Sequence, residues 1–336
     1  MESYFENRGS CWWKFDFHTH TPASNDYGKG PDQSTHKEIS PRDWLLNYMQ
    51  QEIDCVAITD HNSGAWIDRL KNELNIMKEE NLEGFRNIYL FPGVEISVNG
   101  GIHVLAIFST EKGTSDIDSL FGAVEFASSS KGSSDDVTNK SFSDVVEAVH
   151  RAGGIAIPAH VDKSNGLLEL VNNPGGGRSS RISGTTLKQA LECDKILAME
   201  LIDPSFTKPS IYEELNTNWT EILGSDSHHP SGIGEQRFHG SHFTWVKMGI
   251  PSIEGVRLAL LDGPLSIRRS DQEDGDPNEH AQLIIESVEI DNARYMGRGS
   301  PFKIDFNPWL STIIGGRGTG KSSLIEFIRL AFNREN

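Results

Sequence analysis

Seven side chains able to bind a metal ion fall where a run of apolar residues ends. His18 and His20 lie in KFDFHTH, His61 in VAITDH, Glu95 in LFPGVE, His160 in IAIPAH, and Asp226 and His228 in ILGSDSH. His103 opens its run, GIHVLAIF, instead of closing it. Where parallel strands alternate with helices, the C-terminal strand ends share one rim, so residues remote in sequence converge there. His, Asp and Glu suit zinc, manganese or iron, and a mixed set of more than four ligands calls for more than one ion. Each short motif alone is an ordinary turn, but their joint occurrence on five strand ends points to a metal centre. Coordination lowers the pKa of water toward 7, which supplies hydroxide for in-line attack on phosphorus, and the same cations neutralise the phosphate oxygens and the departing alkoxide. The expected catalytic set is therefore His18, His20, His61, Glu95, His160, Asp226 and His228. Acyl transfer is disfavoured, because the chain has no GxSxG elbow and no Cys beside a matched His.

A second chemical motif stands near the other end. Gly315, Gly316, Arg317, Gly318, Thr319, Gly320, Lys321 and Ser322 fit GxxxxGK[ST], with Ser323 following. The apolar run STIIGG, read as a strand, precedes them and the helical pattern SLIEFIRLAF follows, the context of a phosphate-binding loop. Backbone N–H groups of such a loop cradle phosphates, Lys321 reaches the terminal ones and Ser322 holds Mg²⁺, so ATP with Mg²⁺ is the expected ligand. Too few residues follow Ser322 for the acidic strand and catalytic glutamate that hydrolysis requires. The expectation is the front of a longer protein, with the ATPase incomplete in this chain.

Short β-rich runs alternate with helical segments up to about residue 265. Strands are predicted at Trp13–Phe17, Cys55–Thr59, Ile88–Ile96, Ile102–Phe108, Gly154–Pro158, Ile196–Ile202, Glu221–Gly224 and Phe243–Met248, and helices at Pro41–Gln51, Gly64–Glu80, Ser143–Arg151 and Ser252–Leu261. This order implies an α/β fold with a parallel sheet or barrel. Ser/Gly-rich stretches at 128–143 and 173–185 read as surface loops or lids. The polar run 268–280 reads as a linker, dividing a first domain, 1–267, from a second, 281–336. Asp16, Asp60 and Asp162 adjoin the metal-compatible residues, either orienting imidazoles or serving as turn carboxylates; Arg237 and His229 either contact a substrate phosphate or belong to a solvated loop.

Composition narrows the class. With 36% hydrophobic and 24% charged residues the chain is globular, no apolar run approaches a membrane span, and MESYFENRGS has no signal-peptide pattern, so the cytoplasm is the default location. Three cysteines, far apart, form neither a disulfide framework nor a metal knuckle. The net charge of −17 argues against a broad electrostatic grip on nucleic acid, although two or three divalent cations would restore positive charge at one spot.

The ordered motifs HxH, TDH, GxE, AH and SDSH over about residues 14–265 closely resemble the polymerase and histidinol phosphatase (PHP) family. The resemblance implies a distorted (β/α)7 barrel holding two or three metals, with His18, His20, His61, Glu95, His103, His160, Asp226 and His228 as ligands and Glu95 bridging. It also implies an acidic or His ligand shortly after HxH, for which HTHTPASND offers Asp26, one residue later than the usual spacing. IIGGRGTGKSSLIEFIR resembles the ATP loop of chromosome-maintenance (SMC) and recombination-type ABC ATPases, and IGEQRFHGSHFTWVKM resembles PHP modules fused to them. A PHP barrel followed by the N-terminal fragment of a P-loop ATPase domain is therefore expected. By that analogy the expected activity is a nuclease cleaving DNA or RNA, coupled to the ATPase in repair or defence against foreign DNA, with a homo-oligomer through the ATPase domain as the assembly it allows. The alternatives are a phosphomonoesterase acting on a nucleotide or sugar phosphate, and a metal-stabilised regulatory module without turnover.

Overall fold

A computed structural model describes residues 9–80, 82, 84–126, 131–231, 237–279, 284–308 and 310–334. Residues 128–130 of the first Ser/Gly-rich stretch, 233–236 of IGEQRFHGSHFTWVKM, and 280–283, which end the linker and begin AQLIIESVEI, lie outside the described residues. The chain divides into two compact units, Trp12–Gly275 and one that unites Asp276–Asn336 with the residues up to Cys11.

In chain order the larger unit comprises β1 (Cys11–Thr19), α1 (Gln33–Lys37), α2 (Pro41–Gln50), β2 (Cys55–Ile58), α3 (Ile67–Glu79), β3 (Tyr89–Val98), β4 (Ile102–Ile107), α4 (Thr114–Ala123), α5 (Phe142–Arg151), β5 (Ile155–Pro158), β6 (Leu170–Asn172), β7 (Arg178–Ser180), α6 (Gly184–Leu191), β8 (Ala198–Glu200), α7 (Ser210–Glu214), β9 (Thr220–Ile222), β10 (Thr244–Met248), α8 (Ile253–Asp262) and β11 (Ile267–Arg269). Seven strands form one curled sheet in the order β11-β10-β1-β2-β3-β4-β5. The parallel pair β8–β9 lies against both of its edges, β8 beside β5 and β9 beside β11. The fold is thus α/β with a curled half-barrel sheet. Strand β11 runs two residues into the stretch that reads as a linker from sequence.

The sheet is mixed, not parallel throughout. Strands β1, β2 and β3 are parallel neighbours, whereas β4 runs antiparallel to both β3 and β5. Only Asn99, Gly100 and Gly101 connect β3 to β4, far too few for a crossover between parallel strands. Gly100 and Gly101 turn there at φ +97° and +72°, a region that glycine enters without steric cost. As a result the beginning of β4 lies at the same rim as the end of β3.

Helices cover the outer face. Ser40 accepts the Asp43 N–H and Pro41 takes the first position of α2, while Ser141 and Asp144 cap α5 reciprocally. Phe142, Val145, Val146 and Val149 of α5 follow the spacing of one helical face and are buried. Helices α4 and α6 were not expected: each is short and rich in Ser, Thr or Gly, yet Ile117, Leu120 and Phe121 of the one and Leu187, Ala190 and Leu191 of the other are buried.

Strand β1 carries the detail on which the site turns. Its pairing with β2 advances from Asp16↔Val56 to Thr19↔Ile58, one residue more on β1 than on its partner, a bulge that reverses the side-chain phase. Asp16 and Thr19 both bond the Tyr48 hydroxyl of α2 on the outer face. Phe15 and Phe17 stack at 4.0 Å, and Phe15 lies 4.8 Å from Phe91 of β3. Phe91 and Glu95 share one face of β3, so the inward face carries an apolar floor with the Glu95 carboxylate above it. His18 and His20, beyond the bulge, point to that same carboxylate.

The smaller unit contains the antiparallel hairpin β12 (Ser287–Ile290) and β13 (Phe302–Asp305), then α9 (Lys321–Ala331). The run STIIGG, expected as a strand, makes no ladder among the described residues, and Ile314 is exposed; a strand requires a hydrogen-bonded neighbour. Among the described residues no helix is long and apolar enough to cross a membrane.

His239 is buried between Tyr27, Tyr48 and Trp44, its ring nitrogens meeting the Tyr27 hydroxyl and the Asn47 amide. Burial, with a contribution from nearby His229, pushes its pKa from 6.5 down to about 3. The unfolded chain therefore takes up this proton at a higher pH than the folded chain, and the contribution to stability is full above pH 6.5 and lost as pH falls toward 3. Replacing His239→Gln keeps hydrogen-bonding capacity but removes the titration. Denaturant unfolding across this window is expected to show a pH slope shallower by about one proton in the variant; parallel slopes would contradict this.

Candidate metal centre

All nine positions that sequence and resemblance single out as ligands come together at one rim of the curled sheet. Glu95 is fully buried at their middle. Its Oε1 lies 2.8 Å from His103 Nδ1 and 3.1 Å from His160 Nε2; its Oε2 lies 2.6 Å from His61 Nδ1, 3.5 Å from His18 Nε2 and 3.7 Å from His20 Nε2. Asp226 Oδ1 stands 3.5 Å from His18 Nε2 and 3.4 Å from His20 Nε2. Asp26 Oδ2 approaches His61 Nε2 at 3.4 Å and His228 Nε2 at 3.5 Å, so its later spacing after HxH does not remove it from the cluster. His103 owes its place to the antiparallel turn, which brings Ser97↔His103 into register.

Among the described residues, three overlapping groups have ligand atoms within 4.8 Å of one another: His18, His20 and Glu95; His20, His61 and His228; and His61, Glu95 and His103. Hydrogen bonding fixes which ring nitrogens face them. Burial raises the pKa of Asp60 to about 6, which leaves it ionised at neutral pH, where it accepts the Ser24 hydroxyl proton at 2.8 Å. Ser24 Oγ then accepts from His20 Nδ1 at 2.9 Å and from the His61 N–H. The His18 Nδ1–H donates to Glu200 Oε2 at 2.8 Å, and that of His228 to the Asp226 carbonyl at 3.1 Å. The Nε2 atoms of His18 and His20 face each other at 3.2 Å, and those of His61 and His228 at 3.1 Å. Each pair shares a proton when one ring is charged, and offers two Nε2 lone pairs to a cation when both rings are neutral. His103 Nε2, His160 Nδ1 and Asp26 Oδ1 are buried without a hydrogen-bond partner, and the His61–Glu95 approach lacks hydrogen-bond alignment. The residues present thus fit divalent ions.

The charges of the cluster act strongly on one another. Burial pushes the Glu95 carboxyl up, but His103, His61 and His18 outweigh it and hold the group well below the carboxylate range. Burial lowers His18, while Glu200, Asp226 and Glu95 carry it well above 6.5. His61 is likewise lowered by burial yet reaches about 10 through Glu95 and Asp26. For His20 burial and the neighbouring His228 and His61 act together and keep it neutral.

The adjoining aspartates hold backbone and hydroxyl groups, and none bonds an imidazole directly. Asp16 accepts the His18 and Ser225 N–H groups, Asp60 the Thr21 N–H and the Thr21 and Ser24 hydroxyls, and Asp162 the Ile202 and Asp203 N–H groups. Arg237 donates to the Gly224 and Ser225 carbonyls, and His229 faces His36 at 2.9 Å. Sequence reading missed Glu200 and Ser24. Glu200 follows LAM at the end of β8, and a carboxylate closing an apolar run was the available signal.

The smaller unit's glycine-rich loop has its own geometry. Gly318 and Gly320 have φ of +83° and +90°, and Lys321 Nζ bonds the Gly315 and Gly316 carbonyls at 2.6 Å each. A cavity of about 580 Å³ opens between Arg294, Tyr295 and Met296 on one side and Gly318–Ser323 with Phe327 on the other. Ser322 and Ser323 lie in the first turn of α9, where backbone N–H groups have no intrahelical acceptor.

No family model and no curated protein matches the chain. Among solved structures, the lesion-specific endonuclease PfuEndoQ from Pyrococcus furiosus is similar at 16% identity and a TM-score of 0.53, over 77% of this chain and 58% of that one. A two-domain protein from Bacteroides vulgatus containing a predicted PHP-like metal-dependent phosphoesterase is similar at 19% identity and a TM-score of 0.38, over 75% and 63%. A complex of Endonuclease Q with a 27-mer duplex bearing an abasic lesion at the active site is similar at 14% identity and a TM-score of 0.49, over 74% and 56%. The chain shares the fold of the first of these while spanning 58% of its length.

Gly224 precedes the Asp226 turn, and a Cβ there would meet His18 Cβ and backbone N at 2.7 Å and Glu200 Oε1 at 3.1 Å. Gly224→Ala is expected to destabilise the fold by about 1–3 kcal/mol, measured by denaturant unfolding. Unchanged stability would mean that the His18–Gly224 approach is looser than described.

Proposed function

We propose that this chain is a metal-dependent phosphodiesterase acting on nucleic acid, built as a distorted PHP barrel of seven βα units over residues 1–267. The observation that carries the reading is the convergence of five imidazoles within 3.7 Å of one buried carboxylate, with the Nε2 atoms of His18 and His20 and of His61 and His228 turned toward each other. His18, His20, Asp26, His61, Glu95, His103, His160, Asp226 and His228 would hold two or three divalent ions, manganese, zinc or iron, with Glu95 shared between them. Such ions, when bound, supply an activated water and the positive charge that phosphoryl transfer needs. The chain's residues do the rest. Ser24, Glu200 and the Asp226 carbonyl fix the imidazole tautomers, the Phe15, Phe17 and Phe91 floor keeps water from the inner side, and Asp226 and His228 stand on the more open side, where a phosphate enters.

A nucleic-acid substrate is supported by the shared fold with a lesion-specific endonuclease and by the glycine-rich loop of the smaller unit. That loop would bind the phosphates of ATP with Mg²⁺ through Gly315, Gly318, Gly320, Lys321, Ser322 and Ser323, as the start of an SMC-like ATPase head. Coupling of the two activities, in repair or defence and in a homo-oligomer formed through the ATPase, follows from this reading.

Hydrolysis of bis(p-nitrophenyl) phosphate, its monoester and labelled single-stranded DNA and RNA should be measured with Mn²⁺ and with EDTA. Diester and polynucleotide cleavage stimulated by Mn²⁺ is expected, with Asp226→Asn or His61→Ala lowering it by more than about a hundredfold. Full rate in either variant would count against the assigned centre. Cleavage of the monoester alone would favour a small-molecule phosphatase, and bound metal without turnover a regulatory module. For the loop, Lys321→Ala is expected to weaken binding of a fluorescent ATP analogue at least about tenfold; equal binding would remove it from the site.

A further inference from the structure

Glu200 lies at the end of β8, fully buried. Its Oε2 accepts the His18 Nδ1–H at 2.8 Å and the backbone N–H of His160 at 2.9 Å, while its own carbonyl accepts the Val161 N–H at 2.9 Å. The carboxylate is thus pinned between the first ligand of the HTH segment and the turn that carries His160, which is itself held at φ +29°. Two further imidazoles whose Nδ1 is bonded outside the centre rest on neutral acceptors, His20 on the Ser24 hydroxyl and His228 on the Asp226 carbonyl. Among the described residues, Glu200 is the one carboxylate outside the centre that holds a ligand imidazole. A carboxylate behind an imidazole fixes the tautomer and increases the electron density at the opposite nitrogen, which strengthens its bond to a cation.

We propose that Glu200 is a positioning residue that acts through His18 and strengthens the hold of His18, His20 and Glu95 on one ion. This rests on reading the cluster as a metal centre. The group formed by His61, Glu95 and His103 contains neither His18 nor a residue bonded to Glu200, so its affinity is independent of Glu200. The effect is selective for one ion.

The full 336-residue chain, as wild type, Glu200→Ala and Glu200→Gln, should be stripped of metal and titrated with Mn²⁺ against a chelating indicator, with metal content measured separately after reloading. Glu200→Ala is expected to weaken one ion by about 10- to 100-fold and leave the others unchanged. Glu200→Gln, whose amide oxygen can accept the same Nδ1–H, is expected to recover part of that loss. A merely structural role would weaken every ion together, with no recovery by Gln. That result, or wild-type affinity at every ion in Glu200→Ala, would overturn the proposal. Should Glu200→Ala fail to fold, the Gln variant decides: weakening confined to one ion supports the proposal, and wild-type or uniformly weakened binding overturns it. Absence of divalent binding by the wild type would instead sink the metal-centre reading, and this proposal with it.

Discussion

A carboxylate with no access to water, set above three phenyl rings, is costly to ionise unless opposite charge surrounds it. Glu95 occupies that position, and five imidazoles stand within 3.7 Å of its two oxygens. The remaining architecture can be read as the means of delivering those rings. The bulge in β1 turns His18 and His20 inward, the three-residue turn after β3 brings back His103, and the exits of β2 and β5 supply His61 and His160. Three of the rings brought to the site, His18, His20 and His228, are also held from behind through Nδ1, which fixes their orientation toward an ion.

Backbone strain gathers at the same place. Asn62, His160 and Asp226 have φ of +45°, +29° and +47°, a region that costs a non-glycine residue of order 1–3 kcal/mol. Each is overdetermined by its surroundings. Glu200 accepts the His160 N–H, the His18 carbonyl accepts the Asp226 N–H at 2.6 Å, and the Asn62 side chain bonds the Ser97 N–H and the Ser133 and Asp136 carbonyls. The last of these bears on the Ser/Gly-rich stretch, which from sequence reads as a surface loop or lid. Its described part is fastened to the site, with the Gly132 N–H on the His61 carbonyl and its carbonyl on the Asn25 N–H.

The convergence of these positions was legible because strand ends gather residues remote in sequence, so widely separated His, Asp and Glu of metal-compatible type signalled one place. The reason given for their convergence was incomplete. A uniformly parallel sheet would have left His103 at the far end of its strand; the short Asn-Gly-Gly connection in the sequence was the sign that it would not. Glu200 was passed over for another reason: the expected strand Ile196–Ile202 ran past it, so its carboxylate did not stand at a strand end, whereas β8 closes on it. In the smaller unit the loop glycines were visible through the left-handed geometry they permit, whereas the expected strand before them was not formed, since apolar β-branched residues specify a strand only when a neighbour shares its hydrogen bonds.

The extra residue in β1 has a consequence for how such a chain can vary. Below it, Phe15 and Phe17 face inward and Asp16 outward; above it, His18 and His20 face inward and Thr19 outward. One strand thus supplies a dry base and a polar rim to the same cavity, although alternation alone would have sent one of them to the helices. Loss of a single residue in this stretch would swap inside for outside in everything beyond it. The length of this strand, more than the identity of most of its residues, is what descent must preserve.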